Sequence, residues 1–383
     1  MGLQQRKSWE KNYLKANGQS SAGIFLKFCN KFHKNAISRS TPLIAIRQPH
    51  TGIRGISRVY QPQHSMSGSK CCNSLFITSA MPVQTPAAIQ PFLGSEIEVA
   101  YDDSRVVILP IPYEATTTYR RGCENGPAHL LNASDQLECY DEELDRETCY
   151  EVGIFTHSAI ADTRNGQSVS SEEMLEVTSK TIYHLIQEGK FVIALGGEHS
   201  ITTGVVEAYR MAYPDEPFTV IQIDAHGDLR HEYHGSIHNH ACVMRRIVDM
   251  GLPTLQIGIR SICKEEADLI KEKHLPVFRA RDIVSQPDWM DRAIAGIQTK
   301  RVFFTIDLDG LDPTLIPGVG TPEPGGLNWY SLTTFLRRVC QSHEVIGCDV
   351  MELAPVADSV VSEFTAAKLV YKLIGYQAMA QGW

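Results

Sequence analysis

The sequence predicts an α/β fold: a mostly parallel sheet of about eight strands, covered by helices on both faces. Three observations lead there. From Arg105 onward, short apolar runs rich in β-branched residues recur, as expected of strands buried on both faces. Stretches of helical periodicity separate them, and strand, helix, strand repetition implies crossover helices on a parallel sheet. His, Asp and Glu gather just beyond the ends of four of the runs, where such sheets bind ligands.

In chain order the expected strands are 106–111, 152–155, 191–196, 218–223, 254–259, 276–278, 302–308 and 345–350. The expected helices are 172–188, 201–212, 241–250, 264–273, 289–297, 331–341 and 363–380. The first of these sets Met174, Leu175, Ile182, Leu185 and Ile186 on one side, an apolar stripe suited to packing on a sheet. No internal repeat or Gly/Ser-rich linker interrupts residues 95–383, so they are expected to form a single catalytic domain.

The most informative stretch is Asp224 to Arg230, DAHGDLR, directly after the apolar run FTVIQI. Alternate residues of an extended chain point the same way, so Asp224, His226 and Asp228 converge beyond the strand end. Such groups are costly to bury unpaired, and a divalent metal resolves the cost; a plain Asp-Gly turn is the simpler alternative. Three further strand ends decide between them. GGEHS places His199 after the run at 191–196, DLDGLDP places Asp307 and Asp309 after 302–306, and MELAP places Glu352 after 345–350. Two imidazoles and four aspartates exceed the three protein ligands of one catalytic zinc. They suit two divalent ions about 3.5–4 Å apart. Oxygen-dominated ligation without thiolate favours manganese over zinc, with nickel or another divalent ion left open. No GxGxxG follows a strand, and neither GxxxxGK[ST] nor GxSxG occurs, so nucleotide-cradling and nucleophile-elbow chemistries have no foothold.

GGEHS, DAHGDLR and TIDLDGLDP match in order and spacing the three signatures of the ureohydrolase (arginase/agmatinase) family, a resemblance that covers Ser104 to the C-terminus. It implies a three-layer α/β/α arginase-like fold, two manganese ions per chain and a homo-oligomer, trimer or hexamer. It also implies roles. His199 and Asp228 would serve the first ion, His226 and Asp309 the second, and Asp224 and Asp307 would bridge. Water between two such ions becomes acidic enough to supply hydroxide near neutral pH, which attacks a guanidinium carbon and releases urea and an amine. Asp228 would orient that hydroxide, and Glu352 would pair with the substrate guanidinium. His240 would be the shuttle histidine that protonates the leaving amine and contacts substrate, with His238 its main competitor. His231 and His234 read as loop residues at the site mouth.

Within this family the closest expectation is agmatinase, releasing putrescine from agmatine. Arginine-using relatives carry a Ser/Asn loop before the shuttle histidine, whereas here the interval reads HEYHGSI. Guanidinobutyrase, guanidinase and other guanidino-compound ureohydrolases remain alternatives, as does, from another class, a catalytically silent metal-binding subunit. The stretch GVGTPEPGG is expected to wall the substrate pocket beside Glu323, and residues 113–126 to contribute a pocket segment.

Charge is unevenly spread. Residues 1–80 hold twelve Lys or Arg and one acid, a net of +11, which leaves −19 for the remainder of a chain whose total is −8. This basic leader reads as a transit peptide, a disordered extension, or upstream sequence joined by a misassigned start at a natural Met81. A cytoplasmic location is expected, with organellar import through the leader as the alternative. The basic residues lack the clustering and interleaved aromatics of a nucleic-acid surface, so no nucleic-acid partner is expected. No membrane association is expected either, because no apolar run reaches the roughly 18 residues needed to span a bilayer. Ten cysteines without a CxxC pair point to a reducing compartment without disulfides. A chain beginning at Met81 is expected to fold and to retain turnover. Loss of soluble protein on removing residues 1–80 would instead place the leader within the domain.

Overall fold

The computed structural model describes residues 89–383; the expectations for residues 1–80 lie outside them. Eight parallel strands form one sheet: β1 Val106–Ile111, β2 Ile154–Thr156, β3 Phe191–Gly196, β4 Phe218–Ile223, β5 Thr254–Ile259, β6 Val277–Arg279, β7 Arg301–Asp307 and β8 Glu344–Met351, in the order β2-β1-β3-β8-β7-β4-β5-β6. Every residue of β1, β3, β4 and β5 is buried; β1 and β3 are apolar throughout, whereas β4 and β5 also bury Gln222 and Gln256. The strands alternate between two cores. Val106 and Ile108 face one, while Val107, Leu109 and Ile111 face the other.

The first core is closed by helices α1 Gly126–Ser134, α2 Thr148–Val152, α7 Ala280–Ser285, α8 Trp289–Ala295, α9 Trp329–Ser342 and α10 Val361–Gln381. The second is closed by α3 Ser171–Gln187, α4 Thr202–Ala212, α5 Val243–Asp249 and α6 Lys264–Lys273. Connections that run one way across the sheet, such as β3 to β4 through α4, cross the second face. Those that return, such as β7 to β8 through α9, cross the first. A single crossover hand requires this division, and it produces the three layers.

Departures from the sequence expectation are local. β2 starts two residues later than expected, at Ile154, and the expected helix from Ala241 opens as a tight turn, His240–Cys242, before α5. Helix α8 ends at Ala295 rather than 297. Helices α1, α2 and α7 were not foreseen: α1 begins Gly-Pro and has little amphipathic pattern, and α2 and α7 are only five and six residues long. The seven cysteines among the described residues are free, and no described helix is long and apolar enough to cross a membrane.

The loop after α1 is fixed by a buried cation. Lys372 on α10 is 3% exposed and its Nζ lies 2.7 Å from Asp141 and 3.0 Å from Glu143. Lys372→Met is expected to lower stability by about 3–5 kcal/mol, since it strands buried carboxylate charge. Urea denaturation of both chains measures this, and an unchanged midpoint would show the pair to be dispensable.

Candidate active site

Four adjacent central strands, β3, β8, β7 and β4, deliver the polar groups. Helices leave this quartet to opposite faces at β3/β8 and at β7/β4, so a crevice opens beyond their carboxyl ends. His199 lies in the turn between β3 and α4, Asp224 directly follows β4, Asp307 ends β7, Asp309 sits in the following turn and Glu352 directly follows β8. Asp228 and Glu352 hold φ of 49° and 65°. For residues other than glycine this left-handed backbone costs about 1–3 kcal/mol, and it persists where the surroundings enforce it.

The side chains meet in two groups, His199 with Asp224 and Asp307, and His226 with Asp309 and again Asp224. His199 Nδ1 lies 3.2 Å from Asp224 Oδ2, 3.1 Å from Asp228 Oδ2 and 3.3 Å from Asp307 Oδ2. His226 Nδ1 lies 2.9 Å from Asp309 Oδ2 and 3.7 Å from Asp224 Oδ1. Asp224 is thus common to both groups. Asp307 directs Oδ2 to the first group, while its Oδ1 accepts the Asp309 amide proton at 2.9 Å.

The tautomer of His199 follows from its neighbours. Asp349, fully buried within β8, accepts from Thr202 Oγ1 at 2.9 Å and from the Thr305 hydroxyl. A hydroxyl has one proton to give, so Thr305, having spent it on Asp349, accepts from His199 Nε2 at 2.8 Å. Nδ1 then carries a lone pair toward three carboxylate oxygens and makes no hydrogen bond. That arrangement is repulsive unless a cation lies between them. The carboxylates oppose one another as well. Burial, then Asp309 and Asp224, push Asp307 well above the usual carboxylate range, and burial, then Asp224, lift Asp228 to about 6. Burial disfavours a charged His199, but the aspartates outweigh it and drive its pKa well up. Divalent ions would take the place of those protons, and four aspartates match the charge of two such ions. The donor set fits.

The groups open into a cleft of about 320 Å³. His226, Asp228, Asp307, Asp309, His240 and Glu352 reach it, beside Thr117 to Arg120, Arg230, Tyr233, Gly320 and Thr321. Glu352 Oε1 accepts the His199 amide proton at 2.8 Å and lies 3.4 Å from His240 Nδ1. Burial works against a charged His240, but Glu352, then Asp228 and Glu198, outweigh it and raise its pKa to about 9. His238, His231 and His234 do not line the cleft, nor do Glu232 and Glu323. The Glu323 carbonyl is instead held by Arg260 at 2.9 Å.

Arg260 is a residue that sequence reasoning missed. Its guanidinium also takes the carbonyls of Asp309 at 2.7 Å and Leu311 at 3.2 Å, fixing the turn that carries Asp309. Arg120 plays a similar part for the opposite wall, donating to the carbonyls of Ala354 at 3.0 Å and Pro355 at 2.7 Å. Neither role has a local signal, because each spans loops far apart in sequence.

The arginase family's sequence profile matches residues 104–375. The chain belongs to the arginase family. An N(1)-aminopropylagmatine ureohydrolase of Synechocystis sp. is 57% identical over 290 residues, 76% of this chain and 94% of the relative. A Thermus thermophilus protein of the same name is 36% identical over 75% of this chain and 95% of its own length. An agmatinase of Pyrococcus horikoshii is 34% identical over 72% of this chain and 93% of its own. Among solved structures, the agmatine ureohydrolase of Thermoplasma volcanium superposes with a TM-score of 0.66 at 28% identity, covering 77% of this chain and 96% of that one. The chain is therefore a ureohydrolase, an enzyme of C–N bond hydrolysis in guanidino compounds, and its three-layer α/β/α fold is that of the family.

Close backbone approach fixes the shared ligand. A Cβ on Gly310 would lie 2.7 Å from Asp224 N and 3.0 Å from its Cα. Gly310→Ala is expected to displace Asp224 and weaken metal retention by roughly tenfold to a hundredfold. Metal content after dialysis against graded chelator reads this, and unchanged retention would show that Asp224 tolerates the shift.

Proposed function

We propose that this ureohydrolase acts on a guanidino polyamine, with N(1)-aminopropylagmatine as preferred substrate, agmatine as a poorer one, and arginine excluded. Hydrolysis of N(1)-aminopropylagmatine releases urea and spermidine, where agmatine would give urea and putrescine. The observation that carries the substrate is the 57% identity to the Synechocystis relative across 94% of that protein. The sequence expectation of agmatine rested on the absence of an arginase-type Ser/Asn loop. That argument excludes an α-carboxylate and does not separate agmatine from its aminopropyl derivative.

Two manganese ions, or nickel in their place, would be held by His199, Asp224, Asp228 and Asp307 and by His226, Asp224 and Asp309. When bound, such a pair supplies the nucleophile by pulling the pKa of water from about 15.7 toward neutrality. Asp224, common to both groups, would serve both ions; Asp307 would serve the first and, through the family resemblance, the second as well. The chain's own residues do the rest. Asp228, beside His199 at the cleft floor, orients the nucleophile by accepting its proton in a hydrogen bond. The Glu352 carboxylate pairs with the planar guanidinium, a fork it matches geometrically, and turns its carbon toward the aspartates. His240 holds a proton, and its Nε2, which has no hydrogen-bond partner, hands it to the leaving amine. Bound cations would draw the His240 pKa down from the value its carboxylate neighbours impose, toward the working range of a general acid. A homo-oligomeric assembly, trimer or hexamer, is proposed on family grounds alone.

Urea release from N(1)-aminopropylagmatine, agmatine, guanidinobutyrate, guanidine and arginine, with manganese and nickel supplied separately, tests the reading. kcat/KM for the first is expected to exceed that for arginine by at least roughly a hundredfold, about 2.7 kcal/mol in transition-state binding. Comparable turnover of arginine would refute the exclusion. Turnover of agmatine above its aminopropyl derivative would restore the agmatinase reading, and no turnover with either metal would favour the silent subunit.

A further inference from the structure

His240 reaches the cleft from a tight turn, not from a strand or a long helix, so its position needs support from elsewhere. It is the first residue of that turn, where a backbone N–H has no partner within the helix. That N–H donates to Thr116 Oγ1 at 3.0 Å. The Asn239 side chain caps the same turn by accepting from Ala241 N at 3.0 Å, and its Nδ2 reaches Thr116 O at 3.4 Å. Thr116 lies in the segment after β1, and its hydroxyl proton is committed to Glu198 Oε1 at 2.7 Å.

Glu198 is the unassigned acid of GGEHS. It has 0% exposure, and among the described residues no cation pairs with it. Four donors satisfy its carboxylate instead: Thr116 Oγ1 and Ser200 Oγ, at 2.5 Å, on Oε1, and the amides of Ala115, at 2.7 Å, and Thr116, at 2.5 Å, on Oε2. A buried carboxylate so placed sets the direction of every proton around it. Because Thr116 must donate to Glu198, it can only accept from His240.

We propose that Glu198, acting through the Thr116 hydroxyl, is the positioning residue that fixes His240 over the cleft. This inference rests on the reading of His240 as the proton donor to the leaving amine. One turn then performs two tasks: His199 enters the metal groups, and its neighbour Glu198 orders the loop that carries the proton. The cause is the acceptor count of the carboxylate. A glutamine at 198 offers one oxygen and one NH2. With its oxygen toward Thr116, the NH2 meets two backbone N–H donors. Turned over, it donates to Thr116, whose own proton then finds no acceptor at residue 198 and no longer fixes the lone pair that faces the His240 N–H. In either orientation one link breaks.

The test uses the full chain loaded with manganese, with agmatine and N(1)-aminopropylagmatine as substrates. Glu198→Gln and the near-isosteric Thr116→Val are expected to keep two ions per chain and KM within about threefold. Their kcat is expected to fall by roughly tenfold to a hundredfold, the scale of a misplacement near 1 Å. Thr116→Ser, which restores the hydroxyl, is expected to recover kcat to within about threefold of the parent. Adding Glu198→Gln to His240→Asn is expected to cost little beyond His240→Asn alone. Loss of an ion in Glu198→Gln, multiplied losses in the double variant, or an unchanged kcat in Thr116→Val would each overturn the proposal. If His240→Asn alone retains full turnover, the proton-donor reading falls. Crystal structures of the manganese-loaded parent and Glu198→Gln chains then decide the positioning claim. His240 Nδ1 displaced from Glu352 in the variant sustains it, and an unmoved imidazole ends it.

Discussion

The constraint on which the rest depends is the crowding of four aspartates and two imidazoles beyond four neighbouring parallel strands. Without cations their charges repel, and the only relief is protonation, which burial and mutual repulsion promote at Asp307 and Asp228. Much of the surrounding structure holds that crowding in place. Gln222 Nε2 donates to Asp224 Oδ2 at 2.6 Å, the Ala225 amide donates to Asp309 Oδ1 at 3.0 Å, and Arg260 gathers the carbonyls behind Asp309. Asp349 orders His199 from within the sheet, through Thr305. Outer contacts of this kind set the tautomer and direction of metal ligands. The sheet supplies the stiffness: β7 and β4 pair in register up to Ile306 and Ile223, just before the first ligand on each.

What the sequence made legible, it did through local pattern. The eight strands announce themselves because each is built mainly on a short apolar, β-branched run, and only their ends shifted. The residues that converge in the two groups could be read because His and Asp stand where apolar runs stop. Helices α1, α2 and α7 were missed for the opposite reason, since none carries enough turns of amphipathic pattern. The pocket wall was half legible. Thr117 to Arg120, Gly320 and Thr321 line the cleft as expected of their segments, but Glu323 turns away and leaves its carbonyl with Arg260. Residues whose partners lie eighty or more positions away, such as Arg120 and Glu198, look like ordinary charged loop residues until the chain is folded.

Charge balance across the cleft links binding to proton transfer. Four aspartates match two divalent ions, which leaves Glu352 as the carboxylate free to meet a cation. In the cleft that carboxylate faces His240, whose Nδ1 lies 3.4 Å away. On the proposed roles, a guanidinium that takes Glu352 would displace the contact that raises the His240 pKa. As an added positive charge beside the ring, it further disfavours the imidazolium. Both effects lower the pKa of His240 once substrate is seated. A general acid is most effective when its pKa lies near the working pH, so occupancy of Glu352 moves His240 in the useful direction. On that reading the proton would be held while the cleft is empty and loosened when the amine that needs it is in place. Such coupling requires His240 and Glu352 to keep their separation. Glu352 is set by its amide bond to the Gly197 carbonyl at 2.8 Å and by the His199 amide. With His240 set through Thr116 and Glu198, both members of the pair are referred to the same turn at the end of β3.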